Sequence, residues 1–226
     1  MSHTPDRRVA QALSAEHLAR GDGTGWFERL YAQAGGDPHT IPWADGRPSR
    51  DLVSFLDAER PAAGARTAVV GCGLGDDAAE LARRGLRVTA FDLAPSAVEW
   101  CGRRFPDLPI EWRVQDLLTP FPAGWTGGFE LVVEIYTLQS LPAALRARAA
   151  AAVASLVAPG GRLLTVCRSR PDGTPEPEGP PWPLAKADLR AWFGGAGLAE
   201  ASLHERQETE DDRPPPVTRA IGVWRR

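Results

Sequence analysis

The stretch Val69-Val70-Gly71-Cys72-Gly73-Leu74-Gly75-Asp76-Asp77 decides the fold of this 226-residue chain. Arg66 to Val70 ahead of it reads as a short strand, and Asp76 to Arg84 behind it as a helix. A strand that passes through spaced glycines into a helix is the first βα turn of an open α/β sheet. Ligands bind such sheets outside the carboxyl ends of the strands, where the strand order reverses. Glycine in that turn accepts positive φ and lets the main chain approach a ligand without a Cβ in the way.

Downstream the same alternation continues. Arg87 to Phe91 is a second strand closed by Asp92, and Pro95 to Phe105 a helix with proline at its start, where a missing N–H costs nothing. Ile110 to Val114 and Phe129 to Ile135 are further strands. Leu141 to Val157 is a helix with Leu145, Ala149, Val153 and Leu156 on one side, ended by Pro159-Gly160-Gly161, and Arg162 to Cys167 is a fifth strand. Connections this short imply parallel strands covered on both faces. The end differs: a helix from Lys186 to Phe193 precedes strands at Ala201 to Gln207 and Thr218 to Trp224, joined by the acidic, proline-rich loop Glu208 to Pro216. The expected fold is α/β, a Rossmann-like, doubly wound, seven-stranded sheet, mostly parallel, with a C-terminal antiparallel hairpin.

Upstream, residues 1–60 read as an N-terminal helical cap or extension on a domain formed by 61–226. Helices are expected over Val9 to Arg20, Trp26 to Ala34 and Ser49 to Ala58, with Gly35-Gly36-Asp37-Pro38 as a break and Ile41-Pro42-Trp43 extended. Such a segment covers a cleft or simply packs on the sheet. The proline-rich run Pro171 to Pro183 is either a rigid linker or a wall of the substrate pocket.

The hydrophobic share of 43% and charged share of 24% are those of a globular protein. With 26 basic residues scattered among 29 acidic ones and a net charge of −3, no basic stripe exists to meet nucleic-acid phosphates. The N-terminus lacks the apolar core of a signal peptide, and no apolar run approaches the roughly 18 residues of a membrane span, so a cytoplasmic location is expected. Cys72, Cys101 and Cys167 lack metal-ligand spacing and read as small buried hydrophobes, with no metal site. His17, His39 and His204 lie in no motif and are expected on the surface.

The glycine spacing narrows the ligand. A dinucleotide fingerprint is G-x-G-x-x-G with the pyrophosphate on a helix N-terminus. Here the third glycine comes one residue early and Asp76 and Asp77 open the helix, two carboxylates that would repel a pyrophosphate while favouring the helix dipole. A phosphate-free, cationic or zwitterionic ligand such as S-adenosylmethionine fits better than NAD. Asp92, about 20 residues past the first glycine by the usual dinucleotide spacing, can accept from ribose hydroxyls, or cap the helix at Pro95-Ser96. Asp116 can accept from the adenine amino group, with Leu117 on the ring face. Glu134, costly to bury unpaired, is expected to face a ligand or the cleft.

With these residues in place, positions 66–167 resemble class I S-adenosylmethionine-dependent methyltransferases, through Gly71-Cys72-Gly73-Leu74-Gly75, Asp92, Gln115-Asp116-Leu117 and Leu156-Val157-Ala158-Pro159-Gly160-Gly161. Val69 stands where most members carry an acid. The chain is similar to the thiopurine and thiol methyltransferase branch in Val69 to Asp77, in Phe91-Asp92-Leu93-Ala94-Pro95-Ser96-Ala97-Val98-Glu99, and in Ile41-Pro42-Trp43 with Gly46-Arg47-Pro48-Ser49. The resemblance implies S-adenosylmethionine as cofactor, S-adenosylhomocysteine as product, no metal, and a small-molecule acceptor reacting at sulfur, nitrogen or oxygen, in secondary metabolism. It places Trp43, Gly71, Cys72, Gly73, Gly75, Asp92, Leu93, Asp116, Leu117, Glu134 and Ile135 at the cofactor. Tyr136 and Glu134 are candidates for catalysis, and Tyr31, Tyr136, Gln139, Arg168 and Trp182 for the acceptor. A monomer or homodimer without nucleic-acid or membrane partners is expected. The alternatives are an NAD(P)-binding oxidoreductase and a non-catalytic cofactor-binding regulator.

Overall fold

A computed structural model describes residues 7–208 and 216–226, with side chains from residue 8 onward. Most of the Glu208 to Pro216 loop, and residues 1–6 at the N-terminus, lie outside the described residues. The strands are β1 (Arg66–Val70), β2 (Arg87–Asp92), β3 (Ile110–Val114), β4 (Phe129–Ile135), β5 (Val157–Arg170), β6 (Leu184–Ala185), β7 (Ala199–Glu208) and β8 (Val217–Arg225). Their order is β3-β2-β1-β4-β5-β8-β7, with the two-residue β6 paired beside β5. Strands β1 to β5 pair in parallel, and β8 runs antiparallel to both β5 and β7. The order reverses between β1 and β4, which puts the glycine loop at the switch point where ligands bind in such sheets.

The helices are α1 (Arg7–Ala19), α2 (Trp26–Ala34), α3 (Arg50–Glu59), α4 (Asp76–Arg83), α5 (Pro95–Arg104), α6 (Ala143–Leu156) and α7 (Lys186–Gly195). On one face of the sheet, Ala149, Val153 and Leu156 of α6 and Leu189 and Phe193 of α7 pack on Val132, Leu163 and Trp224. On the other, Leu52, Phe55 and Leu56 of α3 and Ala78 and Leu81 of α4 pack on Val69, Val133 and Val166. Among the described residues no helix is long and apolar enough to cross a membrane.

Four local expectations differ. Ile41-Pro42-Trp43 is a turn closed by Ala44 N–H donating to Ile41 O at 3.1 Å, because Ile41 is drawn fully into the core. Helix α6 ends at Leu156, ahead of Pro159-Gly160-Gly161, but β5 begins already at Val157 and runs to Arg170, with a register shift between Phe129 and Leu131 of β4. The proline-rich segment returns to the sheet as β6, pairing Leu184 with Ser169, which raises the strand count to eight. His17 is buried, with Nδ1 2.8 Å from Asp22 Oδ2.

The N-terminal elements share a core with the cofactor-side elements. Apolar residues at Trp26, Leu30 and Tyr31 put one side of α2 inward, and Gly35, in the left-handed conformation, ends it. Together with Ala10, Leu13 and Ile41 they close over Leu74, Ala94, Ala97 and Trp100. Glu28 fixes the docking, accepting from Ser96 Oγ at 2.6 Å and Ser96 N at 3.0 Å at the start of α5. Each large apolar side chain buried here stabilises by about 1.5–3 kcal/mol. Leu30→Ala is therefore expected to cost about 2–5 kcal/mol in urea unfolding as one cooperative transition; a separate early transition would show instead that the N-terminal segment folds independently.

Candidate cofactor and acceptor site

The glycine loop is closely packed by neighbouring side chains. Gly71, Gly73 and Gly75 all have positive φ, at 59°, 54° and 84°. A Cβ on Gly71 would lie 2.4 Å from Thr137 Oγ1, and one on Gly75 2.7 Å from the Trp112 ring and 2.9 Å from Cys101 Sγ. Side chains are thus excluded on both sides of the loop by packing, and at its centre by the space beneath Tyr31. Gly73 N–H donates to Asp92 Oδ2 at 3.0 Å, tying the loop to the end of β2, and Ala94 N–H donates to Asp92 Oδ1 at 3.0 Å. Gly73 O accepts from Cys101 Sγ at 3.1 Å. Burial pushes Asp92 up to about 6 against the pull of its backbone donors. Cys72, Cys101 and Cys167 are free thiols; the hydrogen bond to Cys101, then burial, push Cys72 well above the usual thiol range.

The two acids at the start of α4 have partners that sequence reasoning could not supply. Arg104 of α5 clamps Asp76 with both terminal nitrogens, at 2.8 and 2.9 Å, and also donates to Leu74 O. Asp77 Oδ1 accepts from Ser49 N–H at 2.7 Å, so the start of α3 sits against the first turn of α4; burial raises Asp77 to about 6. The two acids therefore do not act as a free repelling pair. Asp76 is neutralised, and Asp77 with its Ser49 partner occupies the helix end on which a pyrophosphate would rest.

Glu134 is not open to the cleft. It is 1% exposed, its Oε1 accepting from Thr137 N–H at 2.8 Å and Leu138 N–H at 2.9 Å, while Oε2 has no partner. Burial, opposed by those two donors, raises it to about 7. Thr137 Oγ1 in turn donates to Val70 O at 3.0 Å, so the turn after β4 is fixed against the glycine loop. Tyr136 between them has φ +66°, a conformation costing about 1–3 kcal/mol in a non-glycine residue. Its hydroxyl meets Arg219 Nη1, whose guanidinium lies 5.1 Å from the ring centroid. Arg219 continues to Glu208 at 2.7 Å, Glu208 to Arg206 at 3.2 Å, and Arg206 to both Asp51 oxygens at 3.1 Å.

The remaining candidates are placed as follows. Ile135 is half-buried beside Tyr136, and Leu93 half-buried after Asp92. Asp116 Oδ1 accepts from Leu118 N–H at 2.8 Å, and Leu117 joins the core beneath α6. Trp43 Nε1 donates to Tyr31 Oη at 2.8 Å over Gly73. Gln139 is buried as a cross-link: Oε1 accepts from Arg168 N–H at 2.5 Å and its carbonyl from Trp182 N–H at 2.7 Å. Trp182 is not on a loose flap; its ring packs against Arg146, which is 2% exposed and paired with Glu176 of the same proline-rich segment. Sequence reasoning missed Arg104, Arg219, Arg146 and Glu28, each of which acts across 28 or more positions of chain and leaves no local signal. Among the described residues no group of acids, histidines and cysteines is arranged to hold a metal.

Known proteins resemble this chain in sequence and in fold. Residues 68–161 match the family model described as a methyltransferase domain. A ubiquinone biosynthesis O-methyltransferase of Xanthomonas axonopodis pv. citri (strain 306) is 31% identical over 170 residues, covering 65% of this chain and 67% of that protein. An uncharacterized methyltransferase of Mycobacterium bovis, Mb0092, is 35% identical over 114 residues, covering 50% and 55%. The chain spans between about half and two thirds of the length of the curated relatives it matches. In fold it is similar, at TM-score 0.70 and 24% identity over 88% of this chain and 92% of the other, to a structure solved for the conversion of a disulfide bond into a thioacetal group during echinomycin biosynthesis. It is also similar, at TM-score 0.67 and 14% identity over 100% and 92%, to the 1,6-didemethyltoxoflavin-N1-methyltransferase of Burkholderia thailandensis, solved with its substrate and S-adenosylhomocysteine. The chain belongs to the class I S-adenosylmethionine-dependent methyltransferases.

The buried acids set a pH dependence. Asp77 and Asp92 near 6 and Glu134 near 7 all lie above their unfolded values, so the native state holds protons that the unfolded chain has released. Stability should be fullest near pH 4 to 5 as far as these groups govern it, and should fall as pH rises toward 7. Glu134→Gln is expected to flatten that slope, by at most ~3 kcal/mol across the window, in urea unfolding measured from pH 5 to 8. An unchanged slope would mean that Glu134 is ionised throughout.

Proposed function

We propose that this chain transfers the methyl group of S-adenosylmethionine to a small molecule at sulfur, nitrogen or oxygen. The observation that carries the reading is the Gly71–Gly75 loop at the switch point of the sheet, joined through Gly73 to the carboxylate of Asp92. A carboxylate oxygen has room for a second hydrogen bond, so Asp92 can hold the loop and accept from ribose hydroxyls together. Asp116 and Leu117 are assigned to the adenine, and Leu93 and Ile135 to the walls between. Bound here, the cofactor supplies an electrophilic methyl group on sulfonium sulfur and departs as S-adenosylhomocysteine.

The protein's part is placement and exclusion of water. Bringing a nucleophile into line with the methyl carbon is worth several kcal/mol or more, up to about 7–11 in well-oriented systems. Tyr136 and Arg168, at the ends of β4 and β5, are assigned to the acceptor side. Gln139 holds the Arg168 backbone rather than the acceptor, and Glu134 holds the Thr137–Leu138 turn. The N-terminal helices α1 and α2 serve as the cover of the cleft, packed as they are on Leu74 and Ala94. The sequence phrases shared with the thiopurine and thiol branch favour a sulfur or ring-nitrogen acceptor, whereas the Xanthomonas relative is an O-methyltransferase. A thiol, with an ordinary pKa of about 8.5, needs least help from a base.

Thermal unfolding tests the cofactor. S-adenosylhomocysteine at about 100 times its Kd adds about 2.7 kcal/mol, which should raise Tm by roughly 5–10 °C in a chain of this size. NAD and NADP should leave it unmoved; a shift with them alone would favour the oxidoreductase reading. Asp92→Ala should weaken S-adenosylhomocysteine binding by about tenfold or more, equivalent to ~1.4 kcal/mol, and equal affinity would remove the assignment of the ribose. Transfer of labelled methyl to thiol, amine and phenol panels then identifies the acceptor atom, and binding without transfer to any of them would favour a regulator.

A further inference from the structure

We propose that Cys72 and Cys101 form a reversible modification site, which a peroxide closes into a disulfide that loosens the glycine loop's hold on the cofactor. The cross-link rests on the two thiols alone. Its effect on the cofactor rests on the reading above, which seats that molecule at Gly71–Gly75.

The three cysteines are all free thiols, and the fold brings two of them together. Cys72 is the second residue of the loop, and Cys101 reaches the loop from α5. Cys101 Sγ donates to Gly73 O at 3.1 Å, and a Cβ on Gly75 would lie 2.9 Å from it, so this sulfur sits inside the curve of the loop. The Cys72 thiol is hydrogen-bonded to it there. Cys167, by contrast, belongs to the core on the opposite face of the sheet. Cys72 is half-buried and Cys101 fully buried, so a small oxidant meets Cys72 first and finds Cys101 behind it as a resolving thiol. The bond to Cys101, then burial, push Cys72 well above the usual thiol range. The reacting species is the thiolate, so the pair survives mild oxidation and closes slowly under a stronger one.

The chemistry balances with hydrogen peroxide as the oxidant. One peroxide oxygen passes to the Cys72 sulfur, giving a sulfenic acid and a water. The Cys101 sulfur then displaces that oxygen, which leaves with the Cys101 proton as a second water, and an S–S bond remains. The two thiols lose two electrons and the peroxide gains them. Oxidation thereby removes a hydrogen bond as well as adding a cross-link. Cys101 has no proton left to donate, so Gly73 O loses its partner. Gly73 is the residue whose N–H ties the loop to Asp92 Oδ2 at 3.0 Å, and it does so from a left-handed φ of 54°. A change at Gly73 is therefore passed to the carboxylate assigned to the ribose.

The test reads the bond and its effect separately. The full chain is treated with hydrogen peroxide, its remaining thiols are blocked with N-ethylmaleimide, and unreduced peptides are mapped by mass spectrometry. A peptide joining Cys72 to Cys101 is expected, with Cys167 recovered as a blocked thiol. Calorimetric titration with S-adenosylhomocysteine should then show affinity lowered by about tenfold or more and restored by dithiothreitol. Cys101→Ser, which keeps a donor for Gly73 O, should form no cross-link and should bind equally before and after peroxide; Cys101→Ala makes the same comparison if the serine variant does not fold. Unlinked cysteines, or Cys72 carried on to a sulfinic or sulfonic acid, would overturn the proposal. So would a cross-link that leaves affinity unchanged, or an equal loss in the Cys101 variant. If the reduced parent does not bind S-adenosylhomocysteine, the cofactor reading fails, while the peptide map still decides whether the two thiols join.

Discussion

The hydrogen bond from Gly73 N–H to Asp92 Oδ2 is the constraint around which the site is arranged. It joins the loop after β1 to the end of β2, and its second oxygen reaches Ala94 at the start of α5. A carboxylate is brought out of water to make it, which burial alone would resist strongly. Two backbone donors offset part of that cost, and the remainder shows in the upward push on Asp92 to about 6. Only a glycine at 73 permits the arrangement, because the residue must combine left-handed φ with an amide pointing at β2 and no side chain under Tyr31. The loop, the acid and the cover are therefore not independent features; changing one alters the geometry available to the others.

A second strap runs along the other side of the loop. Glu134 turns the chain after β4 by holding two consecutive amides, Thr137 then fastens that turn to Val70, and the close approach of Thr137 is what forbids a Cβ on Gly71. Tyr136 is forced into positive φ between these anchors. Its hydroxyl is met by Arg219, from which alternating charges lead through Glu208 and Arg206 to Asp51 on α3. Exposed ion pairs stabilise little one by one. This chain is different in that Arg219 is 9% exposed and its first partner is a strained residue at a strand end. The C-terminal hairpin and the N-terminal helices are thus connected through the turn that follows β4.

The alternation of strands and helices was legible because each element carries its own local signal: β-branched runs in β1 and β2, Pro95 at the start of α5, and the apolar row along α6. The switch-point location of the glycine loop followed from topology alone. Placement of the acids at the strand ends was legible as well, but not their state. Nothing local shows that Glu134 bonds its own turn, or that Arg104 reaches Asp76 across 28 residues. Ile41-Pro42-Trp43 misled for a related reason: a proline-containing apolar triplet reads as extended, while tertiary burial of Ile41 bends it into a turn. Pro159-Gly160-Gly161 marked the end of a helix, and α6 does stop just ahead of it at Leu156; what it did not show is that β5 starts at once, at Val157, through a shifted register with β4. The packing of Trp182 on Arg146, 36 positions away on α6, had no local signal either.

The charges around the loop also explain what kind of ligand the corner tolerates. Asp77 and Asp92 are both buried at its rim, and the only guanidinium close to the loop, among the described residues, is Arg104, already engaged by Asp76 and Leu74 O. A pyrophosphate placed there would add negative charges beside two carboxylates in a medium that screens poorly. A ligand that presents hydroxyls to Asp92 and carries positive charge gains from the same two acids. The preference for a phosphate-free cation is therefore a property of the whole βα turn, with Asp76 contributing through its grip on Arg104 rather than through repulsion.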